Sequence, residues 1–245
     1  MVVREMDHRG FEAPTFAEKR VALLRSLDAA HEAYYRSEIF DGPSFCFHAK
    51  SLNAARDGDL QRFAECSYAM LVSWGMHRMG RGGPKMLEFE KFEAALTQVW
   101  PTAMDLNGRQ PDDLSVTDWD ALEAIFRGLR CMATGTSLVA HSKVMAHLIP
   151  ELVAPVDREY TLTFLFGRKD IDNRIDREWQ MLKGALQGFF YPIRRESAFE
   201  EHATAWLADR ERFRWDTSRL KIVDNLIIGL VTISRNAKKA AGGVG

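Results

Sequence analysis

His141-Ser142-Lys143-Val144-Met145-Ala146-His147-Leu148, followed shortly by Ala154-Pro155-Val156-Asp157-Arg158-Glu159-Tyr160, is the stretch on which the reading of this chain turns. Val144, Met145, Leu148 and Ile149 repeat with the 3.6-residue apolar period of a short helix, which Lys143 opens. Pro150 cannot continue that helix cheaply, because its ring clashes with an earlier carbonyl and its nitrogen carries no hydrogen. Pro155 biases Ala154 towards extended geometry. Asp157 is a strong capping type ahead of Tyr160, Leu162, Phe164 and Leu165, and Gly167 makes a natural C-terminal stop. The pattern predicts helix, tight turn, helix, with Lys143 at the first start and Asp157 at the second. Such a turn can bring an amine and a carboxylate face to face.

That pairing is what attack at an anomeric carbon needs, an amine nucleophile beside a carboxylate. Each residue also has an ordinary reading: Asp157 as a cap worth about 1 kcal/mol, and the two together as a structural ion pair. Residues 136–167 resemble the catalytic core of the helix-hairpin-helix DNA glycosylases, the group that includes the 8-oxoguanine glycosylases. The resemblance rests on Ser142-Lys143-Val144 and on Pro155-Val156-Asp157-Arg158. The chain departs from the family in Gly135-Thr136-Ser137-Leu138-Val139-Ala140-His141-Ser142, which lacks the second glycine of the usual hairpin. The connection from lysine to aspartate is also shorter than in many members.

The resemblance implies a helix-hairpin-helix glycosylase-like fold with an interrupted core. It implies an enzyme that flips a modified base out of double-stranded DNA and excises it, with no cofactor and no metal. Lys143 would be the nucleophilic amine, forming a Schiff base with or without strand cleavage, and Asp157 the essential carboxylate. His141 and Ser142, in and after the hairpin, would stand at the DNA. The implied substrate is either oxidised guanine or a bulky hypermodified cytosine of phage DNA, such as a glucosylated one. The second option would make the role antiphage defence. A non-catalytic helical module binding nucleic acid or protein, and a helical protein unrelated to DNA, remain as other readings.

Outside this stretch the apolar periodicity reads as helix almost throughout, which gives an all-α fold. It is expected as one domain over residues 1–236, in one body or in two lobes around a cleft, with a disordered tail over 237–245. A single amphipathic helix is expected from about residue 15 to 36, and an irregular stretch over 100–117, where Pro101, Asn107-Gly108 and Pro111 fall. Trp74 and His77 are candidates to stack on an extrahelical base, and Arg78, Arg81 and Lys85 to meet phosphates. Phe45, Phe47 and His48, read as a loop beside Gly42-Pro43, are candidates to wall the base pocket or to pack on the core.

Composition decides less. The 245 residues carry 33 basic and 34 acidic side chains, so a nucleic-acid surface must come from local clustering rather than net charge. Three dispersed cysteines argue against a disulfide framework. Neither Cys46 with His48 nor His141 with His147 has the paired spacing of a zinc site. No apolar run approaches the roughly 18 residues of a spanning helix, and no apolar signal region opens the chain. A cytoplasmic monomer is the expectation.

Overall fold

In the computed structural model, residues 16–37, 42–80, 83–133 and 135–242 are described, and over them the fold is all-α. The exception is a two-residue antiparallel ribbon, β1 (Met79–Gly80) with β2 (Gly83–Pro84). The chain begins with α1 (Phe16–Leu24), α2 (Leu27–Arg36), α3 (Pro43–Asp57) and α4 (Leu60–Ser73). After the ribbon come α5 (Phe89–Leu106), α6 (Val116–Gly128) and α7 (Leu138–Leu148). A π-helical turn (Arg158–Leu162) leads into α8 (Thr163–Phe166), and α9 (Ile175–Ala185) runs through a second π turn (Leu186–Phe190) into α10 (Tyr191–Arg194). The final helices are α11 (Ser197–Ala208) and α12 (Arg219–Gly242).

Local chemistry explains most of these boundaries. Asp59 caps α4 by accepting from the Arg62 amide at 3.0 Å. Ser115 and Asp118 form a reciprocal capping box on α6, so that helix starts at Val116. The helix expected over 15–36 is two helices, broken where the Ser26 amide turns back to the Leu23 carbonyl. Glu196 stands at the N-cap position of α11, and Glu200 in its first turn pairs with Arg219.

Two other expectations need correction. The stretch 100–117 is not irregular from its start, because α5 passes through Pro101 to Leu106. Val99, Ala103 and Leu106 continue the buried stripe of Phe92 and Leu96, and their burial outweighs the one backbone hydrogen bond a proline forfeits. The tail expected to be disordered is helical as far as Gly242, the last described residue.

A continuous apolar cluster runs from Leu23 to Val231, with Ile222, Val223, Leu226 and Ile227 of α12 fully buried in it. α12 is therefore the central element. It meets α2 so closely that a Cβ on Gly229 would lie 1.8 Å from the Ala30 carbonyl oxygen. A second, smaller cluster of Tyr34, Trp215 and Ile228 sits at one side, with Tyr35, Phe45, Trp74 and Tyr160 packed against it. That aromatic cluster forms one wall of a cavity behind which α12 stands. No helix among the described residues is long and apolar enough to cross a membrane.

Candidate functional site

Lys143 lies in the middle of α7, not at its start as expected. The helix begins earlier because the amides of Ser137 and Leu138 both donate to Oε2 of Glu178, at 2.7 and 2.5 Å. Glu178 is a buried carboxylate on α9, and it supplies the negative charge that a helix N-terminus favours. The amides opening α7 are thus occupied from within the protein.

From Leu148 the chain bends through an extended, buried run to Asp157. Ser142 fastens that run to α7, its Oγ accepting from the Val156 amide at 3.0 Å. Asp157 then caps the π turn, with Oδ1 accepting from the Tyr160 amide at 2.7 Å. One helix, one serine and one cap accordingly bring Lys143 and Asp157 to the same cavity, of about 910 Å³. Its walls include Tyr34, Trp74, Tyr160 and Trp215, and Arg78, Lys85 and Arg158 stand exposed around it.

The Lys143 amine makes no hydrogen bond or ion pair with any described residue, and instead sits 4.3 Å from the centroid of the Trp74 ring. A structural ion pair with Asp157, one of the ordinary readings, is therefore not formed. Burial holds the amine below the usual lysine range, against the pull of Asp157 and Asp224 and aided by the charge of Lys221. Burial pushes the Asp157 carboxyl up, and the neighbouring Asp224 adds to this, while Lys143 and the Tyr160 and Glu159 amides oppose it. The pair is half relaxed from both sides, with an amine easier to deprotonate than usual beside a carboxyl that stays close to a second one.

Behind Lys143 lies a chain of neutral groups. His147 Nδ1 is 2.7 Å from the Lys143 carbonyl oxygen, which can only accept, so this nitrogen carries the hydrogen. His147 Nε2 is then the acceptor, 2.6 Å from His48 Nδ1, which donates. His48 Nε2 is left to accept from the Thr217 hydroxyl at 3.3 Å. Burial drives both imidazoles towards neutrality, His147 down to about 4 and His48 well below its ordinary value.

The other expected site residues divide sharply. Trp74, Arg78 and Lys85 line the cavity. Lys85 is set beside the connection from α6 to α7 because its carbonyl accepts from the Ala133 amide at 2.7 Å. His77 is exposed and turns back to donate to the Val72 carbonyl at 2.9 Å, outside the cavity lining. Arg81 lies outside the described residues. Phe45, Phe47 and His48 belong to α3 rather than to a loop. Phe47 packs on the main core, His48 is buried, and Phe45 stacks edge-on to Trp215 at 5.1 Å. His141 and Ser142 cannot reach DNA, since both are buried. His141 donates to the Phe126 carbonyl at 2.8 Å, and Ser142 is the stitch described above.

Residues not singled out from the sequence complete the site: Tyr34, Tyr160, Trp215, Lys221 and Asp224. A signal for the last two was present, because Lys221, Asp224 and Asn225 interrupt an otherwise apolar helix, and charges inside such a helix are rarely unpartnered. Trp215 is fixed from behind by Asp216, which takes hydrogen bonds from His31 and Asn225, both at 2.7 Å. Comparison with protein-family models, with curated proteins and with solved structures gave no match to this chain.

Proposed function

We propose that this protein is a DNA glycosylase that draws a modified base into the cavity and releases it. The observation that carries the reading is an unpaired, partly desolvated Lys143 amine and the Asp157 carboxylate facing one roomy, aromatic-walled cavity with basic residues at its rim. On this reading α6, the connection 129–137 and α7 are the helix-hairpin-helix unit, and the aspartate-capped turn follows it as the resemblance implies. The occupied amides of Ser137 and Leu138 make the grip on phosphate fall to Arg78, Lys85 and Arg158.

In the reaction, the nucleotide is extruded at a cost of a few kcal/mol in stacking and pairing. Trp74 and the Tyr34–Trp215 wall offer flat apolar faces to the base. As the bond from C1′ to the base breaks, the base leaves with the electron pair and is protonated, and positive charge grows on the sugar. Asp157 stabilises that charge from a fixed position. The neutral Lys143 amine bonds to C1′, the sugar ring opens to a Schiff base, and elimination of the 3′ phosphate can follow. The cavity volume lies towards the upper end of the roughly 300–1,000 Å³ common for ligand sites, so it accommodates both oxidised guanine and a bulky hypermodified cytosine.

The test is a panel of duplexes carrying oxidised, alkylated, deaminated and hypermodified bases, scored for alkali-labile sites and for borohydride-trapped adducts. At least one duplex should yield both with the wild-type protein. Lys143→Gln should abolish trapping, and Asp157→Asn should slow base release by about a hundredfold or more, the scale of losing one preorganised charge. Trapping that survives Lys143→Gln would remove the assigned nucleophile.

A further inference from the structure

A second pair of opposite charges stands directly behind the first. Lys221 Nζ donates to Asp224 Oδ2 at 2.8 Å and to Asn225 Oδ1 at 2.5 Å, and its side chain is 12% exposed. Asp224 is buried on α12, and its Oδ1 accepts from the Thr161 hydroxyl at 3.4 Å. Thr161 in turn accepts from the Asp157 main-chain amide at 3.4 Å. Both Lys221 and Asp224 line the cavity that holds Lys143.

The two lysines therefore differ in kind. Lys221 is held by two oxygens, whereas Lys143 has only an indole face. We infer that Lys221 and Asp224 are positioning residues: an ion pair on the central helix that anchors the Asp157 cap through Thr161 and fixes the net charge around the Lys143 amine. Asp224 alone would draw a proton onto Lys143. Lys221, by pairing with it, cancels that attraction while adding a cation that disfavours a second one nearby. The opposing influences of Asp224 and Lys221 on Lys143 agree with this arrangement.

The groups that face Lys143 are few. Asp157 comes from the π turn, Asp224 and Lys221 from α12, and His147 from its own helix, with His48 of α3 behind it. The two imidazoles are neutral near pH 7, so the carboxylates and Lys221 set the local charge there.

This inference rests on Lys143 being the reacting amine, but its test needs no DNA. Trace acetic anhydride acylates only neutral amines, so the labelling rate of the Lys143 peptide against pH, with exposed Lys91 as internal reference, reads the charge that Lys143 carries. At pH 7, Asp224→Asn should speed Lys143 labelling and Lys221→Met should slow it, each by roughly tenfold, the change that one nearby charge brings at protein-like dielectric. The double variant should fall near wild type, and it keeps the test open if one single variant folds poorly. Unchanged labelling in both single variants, or a shift in the same direction in both, overturns the proposal. A protein that passes this test but acts on no duplex sinks the glycosylase reading alone.

Discussion

The imidazoles of His48 and His147 are the most consequential buried groups outside the cavity. Each is neutral when folded, and no second proton fits between two nitrogens 2.6 Å apart without breaking their hydrogen bond. Their folded values lie below the ordinary 6.5, down to about 4 for His147, and buried His141 is likewise pushed down to about 4. The unfolded chain therefore binds protons in this window that the folded chain refuses. The stability is present above 6.5 and is lost as pH falls towards about 4. Urea titrations should show the midpoint falling between pH 7 and pH 5, and His48→Asn should flatten that dependence. A midpoint as steep in the variant as in wild type would mean that the His48–His147 contact is not what resists the proton.

At the scale of elements, α7 is held at its start by another helix rather than by its own cap, since Ser137 makes no side-chain capping bond. Glu178→Ala would leave one buried and one part-buried amide without an acceptor, which costs about 1–3 kcal/mol for each unsatisfied buried group. The expected result is a loss of about 2–4 kcal/mol in a urea unfolding curve. A change within 0.5 kcal/mol would show that water replaces the carboxylate. This element also shows what the sequence could and could not convey. The apolar period of Val144, Met145 and Leu148, Asp157 as a cap, and Gly167 as a left-handed stop are local facts, and all three were legible. The true start of α7 was not, because Glu178 lies far along the chain and no local pattern announces it. His141 and Ser142 were misplaced for the same reason: whether a polar residue faces solvent or a partner depends on which element packs over it.

For the molecule as a whole, the all-α class followed from periodicity, whereas the centrality of α12 followed only in part. Its apolar run was visible, but the backbone contact between Gly229 and Ala30 needs two helices brought together from opposite ends of the chain. Gly229→Ala forces a methyl group into the Ala30 carbonyl, so α2 must move off α12. The loss should be about 3 kcal/mol or more, at the upper end of overpacking penalties. A thermal melt of that variant should fall well below wild type, whereas Gly184→Ala, where nothing lies within 4 Å of the added carbon, should leave the melt near wild type. If the two substitutions are equally mild, the helices do not approach as closely as described.

The cavity draws its walls from Tyr34, Trp74, Lys143, Asp157, Trp215 and Asp224, which are spread over most of the polypeptide. During translation, a nascent chain that has emerged only as far as α11 already holds Lys143 and Asp157, but not Trp215 or the charges of α12. Its amine then lacks the Trp215 side of the cavity and the Lys221–Asp224 pair, so the charge and burial that set its protonation are incomplete. If Lys143 is the reacting amine proposed above, the growing chain acquires its full site only once α12 has seated itself against the earlier helices.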